Sequence, residues 1–202
     1  MNNKSLFIDF DSGSNNYRRL HGGGNGQAIA KAIGIKTYGL PLTVIDATAG
    51  LGQDAFVLAC LGCNVTLIER NSLVAEALAD ALQRGQQVES IKKIIINMQL
   101  VHGDAATILQ ELTPTQYPDV IYLDPMFPER NKSSLVKQDL RTLKEIVGQD
   151  LDADQLLTIA RHIAKKRIVV KRPRIAPYLG NTTSHASQIG KANRFDIYMP
   201  IT

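Results

Sequence analysis

The sequence has no tryptophan, and aromatic residues make up only 5% of its 202 residues, so few side chains can stack on a planar ligand. It has only two cysteines, too few for a disulfide framework, which favours a reducing cytoplasmic compartment. No apolar run reaches the ~18–20 residues of a membrane-spanning helix, and residues 1–10 lack the pattern of a signal peptide. The remaining composition, 44% apolar and 21% charged, is ordinary for a globular chain of about one domain.

Positive charge is distributed unevenly along the chain. Residues 161–202 carry nine lysines and arginines against one aspartate, a net charge of +8. Residues 1–160 carry 14 basic and 18 acidic side chains, a net charge of −4. A basic end on a mildly acidic body favours a polyanionic partner, although solvated basic side chains are the alternative. Charge alone does not distinguish RNA from DNA or from a membrane surface.

From residue 42 onward, short apolar runs alternate with longer amphipathic stretches. The short runs predict strands over residues 42–45, 65–68, 98–101, 120–123 and 167–170. The longer stretches predict helices over residues 53–61, 72–84, 105–111, 135–147 and 152–166. This alternation predicts an α/β fold in which helices cover both faces of a mostly parallel sheet. The last run, Arg194–Met199, follows a loop and predicts an added antiparallel strand.

The first forty residues differ from the rest, and we treat 1–40 as an N-terminal appendage to a main domain over 41–202. Within the appendage the pattern predicts a strand over Ser5–Phe10 and a helix over Gln27–Ile33. The glycine-rich run His21–Gly26 could present backbone N–H groups to a phosphate, or could be a flexible connector. No Gly-Lys-Ser/Thr follows it, which excludes a nucleotide-triphosphate P-loop.

Three polar motifs follow predicted strands at their carboxyl ends, where open α/β sheets bind ligands. Asp46-Ala-Thr-Ala-Gly50-Leu-Gly52 opens a helix, and its glycines allow a tight turn close to a ligand. Glu69 lies 19 residues past Gly50, where a carboxylate typically binds the two hydroxyls of a ribose, unless it is an ordinary acid at a strand end. Asp104 offers an acceptor for an adenine amino group.

A fourth motif, Asp124-Pro125-Met126-Phe127-Pro128, follows the predicted strand over 120–123. An acid, a proline, one residue and an aromatic are typical of the active-site loop of amino-group methyltransferases. Asp124 would accept hydrogens of an exocyclic amine and Pro125 would restrict the backbone that carries it. Phe127 would stack on the base, an interaction worth ~1–3 kcal/mol. A proline-rich turn without a catalytic role is the alternative.

Ordered blocks along the chain extend this pattern. They are Tyr17–Gly26, Asp46–Gly52, Asp54–Leu58, Leu67–Asn71, Tyr122–Pro128, Lys132–Lys137, Val147–Asp154, Val169–Pro173 and Arg194–Tyr198. With these blocks, the chain from about Phe7 to Pro200 resembles the type J guanine-N2 methyltransferases of small-subunit (16S) ribosomal RNA. The resemblance implies a class I, Rossmann-like fold, S-adenosyl-L-methionine as cofactor, a guanosine of small-subunit rRNA as substrate, and no metal.

The site residues follow from the glycine turn and from the resemblance. The turn supplies Asp46, Gly50 and Gly52 as predicted cofactor contacts, and the resemblance implies further contacts at Gln53, Asp54, Glu69, Arg70, Asp104, Ala105 and Asp124. Gln53 stands where the family pattern has an arginine, and Asp104-Ala105 where it has two small hydroxyl residues. Family members also carry a further N-terminal segment of some tens of residues, which predicts that this chain is shortened or part of a longer protein.

Basic side chains near the Asp124 motif predict a phosphate track for RNA. Lys171 and Arg172 lie at the end of the fifth predicted strand, beside the loop that holds Asp124. The other predicted members are Arg18, Arg19, Arg130, Lys132 and Lys137. Lysine and arginine at phosphates position RNA without reading its sequence. For the members after residue 129, an exposed amphipathic helix is the alternative.

Three functions fit these motifs to different degrees. The first is the methyltransferase, and the second is a ribosome-binding module of the same fold without turnover. The third is an NAD-dependent oxidoreductase, since a glycine turn with Glu69 also suits NAD, but it leaves the Asp124 motif unexplained. Cys60-Leu-Gly-Cys63 has no second pair to complete a zinc site, and the four histidines lack metal-ligand spacing, so packing roles are expected there.

Overall fold

The computed structural model describes residues 6–13, 24–126, 152–190 and 192–201. Its strands form one sheet in the order β3-β2-β1-β4-β5-β7-β6. The strands are β1 (Thr43–Asp46), β2 (Asn64–Glu69), β3 (Met98–His102), β4 (Val120–Leu123), β5 (Arg167–Pro173), β6 (Ala186–Ile189) and β7 (Asn193–Tyr198). Strands β1 to β5 are parallel, whereas β7 is antiparallel to β5 and β6 is antiparallel to β7. The predicted mostly parallel sheet with an antiparallel final strand is confirmed.

Helices cover both faces of this sheet, as the alternating pattern predicts. They are α1 (Ala28–Ile33), α2 (Ile35–Tyr38), α3 (Gln53–Cys60), α4 (Ser72–Gly85), α5 (Lys92–Ile95), α6 (Ala105–Glu111) and α7 (Ala153–Ile163). One hydrophobic core lies under α1, α3, α4 and α5, and a second lies under α6 and α7. In the described residues no helix is both long and apolar enough to cross a membrane.

The strands divide their side chains between the two cores by simple alternation. In β1, Val44 belongs to the first core and Ile45 to the second, and in β4, Tyr122 belongs to the first and Ile121 to the second. Successive side chains of a strand point to opposite faces, so a sheet covered on both sides needs continuous apolar runs. Every residue of β4 is therefore buried.

Two predicted elements differ from the structure, and one observed strand was not predicted. The strand predicted over Ser5–Phe10 is wrong in its described residues, because Phe10 is buried by stacking on Phe56, with 5.2 Å between ring centroids, and not by strand pairing. The last predicted helix ends early, at Ile163, because the N–H groups of Lys165 and Lys166 donate to the carbonyls of residues 118 and 119. Strand β6 was not predicted, since its residues are polar and mostly exposed. The helix predicted over 135–147 lies outside the described residues.

The segment before residue 40 packs on the main sheet. The predicted helix there is confirmed as α1, and its residues Ile29, Ala32 and Ile33 are buried in the first core. On the sheet side, α1 lies against β5, β6 and β7. The boundary at residue 40 stays a prediction, but α1 shares the core of the domain that follows it.

Candidate active site

The carboxyl ends of β1, β2, β4 and β5 lie side by side at one edge of the sheet. In register, Asp46 is level with Leu67 on one side and with Tyr122 on the other. The helix that follows β1 lies on one face of the sheet, and the helices before and after β4 lie on the other face. The point at which the strand order reverses direction is therefore between β1 and β4. Ligands of open α/β sheets bind at such a switch point.

Glu69, the last residue of β2, is held by two backbone groups. The N–H of Gly50 donates to Oε2 at 2.9 Å, and the N–H of Asn71 donates to Oε1 at 2.7 Å. Only 5% of the residue is exposed, which suits a carboxylate whose charge is compensated by hydrogen bonds. A carboxylate oxygen can accept more than one hydrogen bond, so the two oxygens suit two adjacent hydroxyls as further donors.

The glycine turn joins β1 to α3 through two residues with positive φ, Gly50 at 50° and Gly52 at 68°. A Cβ at residue 52 would lie 2.9 Å from Leu78 Cδ2 and 3.1 Å from the Phe10 ring, so this position requires glycine. Gly52 is the N-cap of α3, and among the described residues no side chain caps this helix end. The first-turn N–H groups, beginning at Gln53, therefore suit an anionic group of a ligand.

Lys171 joins two aspartates from different elements. Its Nζ donates to Asp54 Oδ2 at 2.6 Å and to Asp124 Oδ2 at 2.8 Å. The Tyr122 hydroxyl donates to the same Asp54 oxygen at 2.7 Å. Burial alone would lower the pKa of Lys171, but Asp124 and Asp54 outweigh it and raise that pKa above its ordinary value. Lys171 is thus a permanent cation between two carboxylates.

Asp124 is held by both its backbone and its side chain. Its N–H donates to Thr48 Oγ1 at 2.6 Å, and Lys171 binds Oδ2, while the following Pro125 is buried. Within the described part of the chain no donor contacts Oδ1. Burial raises the pKa of Asp124, Lys171 opposes this, and Asp54 adds to it, so that the pKa stays above its ordinary value. Among the described residues, one carboxylate oxygen of Asp124 is therefore left at the sheet edge to accept hydrogens.

Asp46 is a third, buried carboxyl group beside this pair. It accepts the N–H of Thr48 at 3.2 Å. Burial, and next the nearby charge of Asp54, raise the pKa of Asp46 to about 8. Asp46 is therefore mostly protonated at neutral pH. Its direct contact with a cofactor stays a prediction.

The other predicted cofactor contacts have partners of their own. Arg70 Nη1 donates to both carboxylate oxygens of Asp152, at 2.9 and 3.2 Å. Asp104 is the N-cap of α6, where Oδ1 accepts the N–H of Thr107 at 2.9 Å, and Ala105 is buried in the first turn. Asp104 is exposed and has a second oxygen, so its contact with an adenine stays a prediction.

The burial of Arg172 disfavours the phosphate contact predicted for it. The residue is only 3% exposed, and its Nε and Nη2 donate to the Pro177 carbonyl at 3.2 and 3.0 Å. Successive residues of a strand face opposite sides, so Lys171 and Arg172 cannot both line one track. Arg172 supports the loop after β5, whereas Lys171 belongs to the carboxylate cluster.

Several predicted residues lie outside the described part of the chain. They are Phe127 and the predicted RNA contacts Arg18, Arg19, Arg130, Lys132 and Lys137. Their roles stay predictions.

The sequence analysis missed Tyr122 and Thr48, which hold the two aspartates. Tyr122 carried a usable signal, because a tyrosine inside a buried apolar strand needs a partner for its hydroxyl. Its partner, Asp54, is 68 residues away in the sequence, so no local pattern identifies it. Thr48 lies in the glycine turn, where a small hydroxyl residue is common and gives no separate signal of a functional role.

The Cys60–Cys63 pair has a packing role at its buried member. Cys63 belongs to the first core and is fully buried. Burial raises the pKa of its thiol to about 11, so the group stays neutral and unreactive at physiological pH.

Known proteins resemble this chain over nearly its whole length. The family SAM_MT, described as "Putative SAM-dependent methyltransferase", matches residues 1–200. Ribosomal RNA small subunit methyltransferase J of Serratia proteamaculans is 51% identical over 198 residues, covering 98% of this chain and 79% of that protein. The protein of the same name from Tolumonas auensis is 53% identical over 195 residues, covering 96% of this chain and 77% of that protein.

A solved structure supports the same assignment. The crystal structure of a SAM-dependent methyltransferase from Neisseria gonorrhoeae is 40% identical and superimposes with a TM-score of 0.77. The match covers 96% of this chain and 74% of that one. The alternative of an NAD-dependent oxidoreductase is therefore wrong. By family match, sequence identity and fold, this chain belongs to the S-adenosylmethionine-dependent methyltransferases of the small-subunit rRNA methyltransferase J family.

Proposed function

We propose that this protein transfers a methyl group from S-adenosylmethionine to the exocyclic N2 amine of a guanosine in small-subunit rRNA. The observation that carries the proposal is the position of Asp124, which follows β4 at the switch point with Oδ2 held by Lys171. The rRNA substrate rests on the relatives named small subunit methyltransferase J, and the guanine amine on the type J resemblance of the Asp124 motif.

The residues at the sheet edge fit the cofactor. The hydroxyls of a ribose would be bound by Glu69, whose two oxygens point from the end of β2 and are fixed by backbone N–H groups. The carboxylate of the cofactor suits the uncapped N-terminus of α3. Asp54 and Asp124 place negative charge where the cofactor is cationic. When bound, the cofactor supplies an electrophilic methyl group on a sulfonium.

Asp124 prepares the amine for transfer. The lone pair of an exocyclic amine is delocalised into the base, so the free amine is a poor nucleophile. Oδ1 of Asp124 accepts an amine hydrogen and orients the lone pair along the line of attack. With the cofactor bound, the new N–C bond would replace the S–C bond, whose electron pair would stay on sulfur. The methylated nitrogen is then cationic and acidic, and it releases its proton to Asp124 or to water.

Most of the catalytic effect is expected from this orientation. Holding two reactants in line for transfer can contribute ~7–11 kcal/mol. Asp124 is suited to this because its backbone N–H is bound to Thr48 and its side chain to Lys171. Phe127, the proposed stacking residue, would hold the base plane. The guanosine must leave its stack to reach the edge of the sheet.

RNA outside the base pocket is proposed to contact Arg18, Arg19, Arg130, Lys132 and Lys137. The proposal rests on their charge and on their place in the motif blocks. Phosphate contacts of this kind make affinity strongly dependent on salt. Because the proposed substrate is ribosomal, we expect the protein to be located in the cytoplasm.

The test is transfer of radiolabelled methyl from S-adenosylmethionine to small ribosomal subunits from cells that lack this protein. Subunits from normal cells and naked rRNA serve as controls, and digestion to nucleosides identifies the product. Label in N2-methylguanosine on the unmodified subunits is the expected result. Label in a different nucleoside would overturn the guanine assignment. No label, with cofactor binding shown separately by calorimetry, would favour the ribosome-binding module without turnover.

A further inference from the structure

We propose that Lys171 is a positioning residue, whose ammonium keeps the Asp124 carboxylate ionised and oriented toward the substrate amine, and that it does not bind RNA phosphate. The inference rests on the proposed function, in which Asp124 is the acceptor for that amine. It replaces the phosphate contact predicted for Lys171 from the sequence.

The strand register brings Lys171 to Asp124. Leu123 is level with Val170 in the parallel pairing of β4 and β5, so the next residue of each strand lies at the same height. Lys171 Nζ lies 2.8 Å from Asp124 Oδ2 and 2.6 Å from Asp54 Oδ2. Its side chain is only 22% exposed, which leaves little of the ammonium for a phosphate. Two short charge-assisted bonds use two of its three donors.

Among the described elements around Asp124, several carry charged or titratable groups that act on it. Asp46 comes from β1, Asp54 from α3, Tyr122 from β4 itself, and Lys171 and Arg172 from β5. The neighbouring acids and burial disfavour the carboxylate, whereas the two cations favour it. Of the two cations, Lys171 contributes more, and it alone forms a hydrogen bond to Asp124. The ionisation of Asp124 therefore depends chiefly on Lys171.

Removing this cation changes the chemistry that Asp124 can perform. Without the ammonium, Asp54 and Asp124 would face each other as like charges in a partly buried site, and one of them would take up a proton. A protonated Asp124 donates a hydrogen bond and no longer serves as the acceptor for the amine. The side chain would also lose the contact that sets its rotamer. Both effects lower the rate of transfer without removing any contact to RNA.

The chain offers a matched control on the same two strands. Lys166 directly precedes β5, and its Nζ lies 2.9 Å from Asp119 Oδ1, just before β4, with side chains 32% and 19% exposed. This lysine–aspartate pair is similar in length and exposure, but it lies at the amino ends of the strands, away from the candidate site. Lys166→Met therefore shows how the loss of such a pair affects folding, without a change at the candidate site.

The experiment compares wild type, Lys171→Met, Lys171→Arg and Lys166→Met. The first readout is the dependence of kcat on pH with saturating cofactor and unmodified small subunits, and the second is KM for the subunits at several salt concentrations. The third readout does not need turnover. It is an NMR titration of ¹³C-labelled aspartate side chains, in which Asp124 is assigned from an Asp124→Asn variant.

Lys171→Met is expected to lower kcat at neutral pH and to move the acid limb of its profile upward by about one to three pH units, the usual effect of a close opposite charge. The same upward shift is expected for the Asp124 titration in NMR. Lys171→Arg should restore much of the profile because it keeps the positive charge. Lys166→Met should leave the profile and the titration at their wild-type positions.

Two results would overturn the inference. An Asp124 titration that is equal in wild type and Lys171→Met would show that Lys171 does not control this carboxylate. A raised KM with a flatter salt dependence and an unchanged kcat profile would return Lys171 to a phosphate contact. Failure of the proposed function would look different, since wild type itself would then methylate no guanosine while the NMR comparison would still report on Lys171.

Discussion

The two halves of the site hold their carboxylates in different ways. On the side of β1 and β2, Glu69 is bound by the backbone N–H groups of Gly50 and Asn71. On the side of β4 and β5, Asp124 is bound by the side chain of Lys171, which it shares with Asp54. Backbone donors carry no net charge and do not titrate. The second half is a set of coupled charges whose state depends on each member.

This difference indicates that one half of the site serves recognition of the cofactor and the other serves the transfer chemistry. A carboxylate held by uncharged backbone donors suits constant recognition of a cofactor that is the same in every cycle. A charge-bound carboxylate suits chemistry, because its acceptor strength is set by neighbours at the place where positive charge develops on the substrate. The expected consequence is that variants on the β2 side change cofactor affinity, whereas variants on the β4 side change the rate of transfer.

The largest effect is expected from Asp124→Ala. It removes the acceptor for the amine, and we expect kcat to fall by about 10²–10³-fold or more, the loss typical of one preorganised electrostatic group at a reacting centre. Cofactor affinity should change far less, which calorimetry would measure beside methyl transfer. Asp80→Ala, which removes an exposed ion-paired aspartate of α4, is the control for folding. A variant that keeps most of the wild-type rate would remove Asp124 from the mechanism.

Glu69→Ala should have the opposite effect, lowering cofactor affinity more than the rate of methyl transfer. It removes the acceptor for two backbone N–H groups and for the proposed ribose hydroxyls. We expect the Kd for S-adenosylmethionine to rise about 10- to 100-fold, the range for loss of hydrogen bonds to a charged group. Titration calorimetry measures this, with Glu76→Ala on the exposed face of α4 as the matched control. Unchanged affinity would make Glu69 a purely structural acid.

Arg172→Met should affect folding and leave RNA affinity unchanged. It leaves the Pro177 carbonyl without the buried guanidinium, so the free energy of unfolding should fall by about 1–3 kcal/mol. Because the side chain is buried, the salt dependence of RNA binding should keep its slope. Arg174→Met, two residues further along and exposed, should cost little stability in the same denaturation experiment. A reduced salt slope in Arg172→Met would show that the buried arginine reaches RNA after all.

The smallest effect concerns Asp46 and the dependence of stability on pH. Its folded pKa of about 8 lies above the ordinary value of 3.8, so the folded state binds more protons between these values. The contribution of Asp46 to stability is complete below the ordinary pKa and is lost as pH rises through about 8. Asp46→Asn should therefore flatten the loss of stability between pH 4 and 8, measured by urea unfolding. Parallel curves for wild type and variant would contradict the raised pKa.

Local patterns predicted much of the fold. The apolar runs located β1 to β5, and the helix predicted over residues 72–84 is found as α4. These elements depend on periodicity and on residues close in sequence, which a single chain displays directly. Strand β6 was missed because an edge strand with polar side chains lacks the apolar signal of a buried one. The motif at Asp124 and the spacing from Gly50 to Glu69 were likewise readable, since each is a short segment attached to a strand end.

What the sequence determined by itself was the order of elements, the glycine turn with its acid on the next strand, and the motif blocks that indicate the family. The tertiary structure alone decided which charges meet. Lys171 and Arg172 are neighbours in a basic run, yet one faces the carboxylates and the other is buried under a loop. Strand alternation separates them, and parallel pairing brings Lys171 to residues 47 and 117 positions away. A one-dimensional pattern records the charge of a residue, but only packing determines which partner neutralises it.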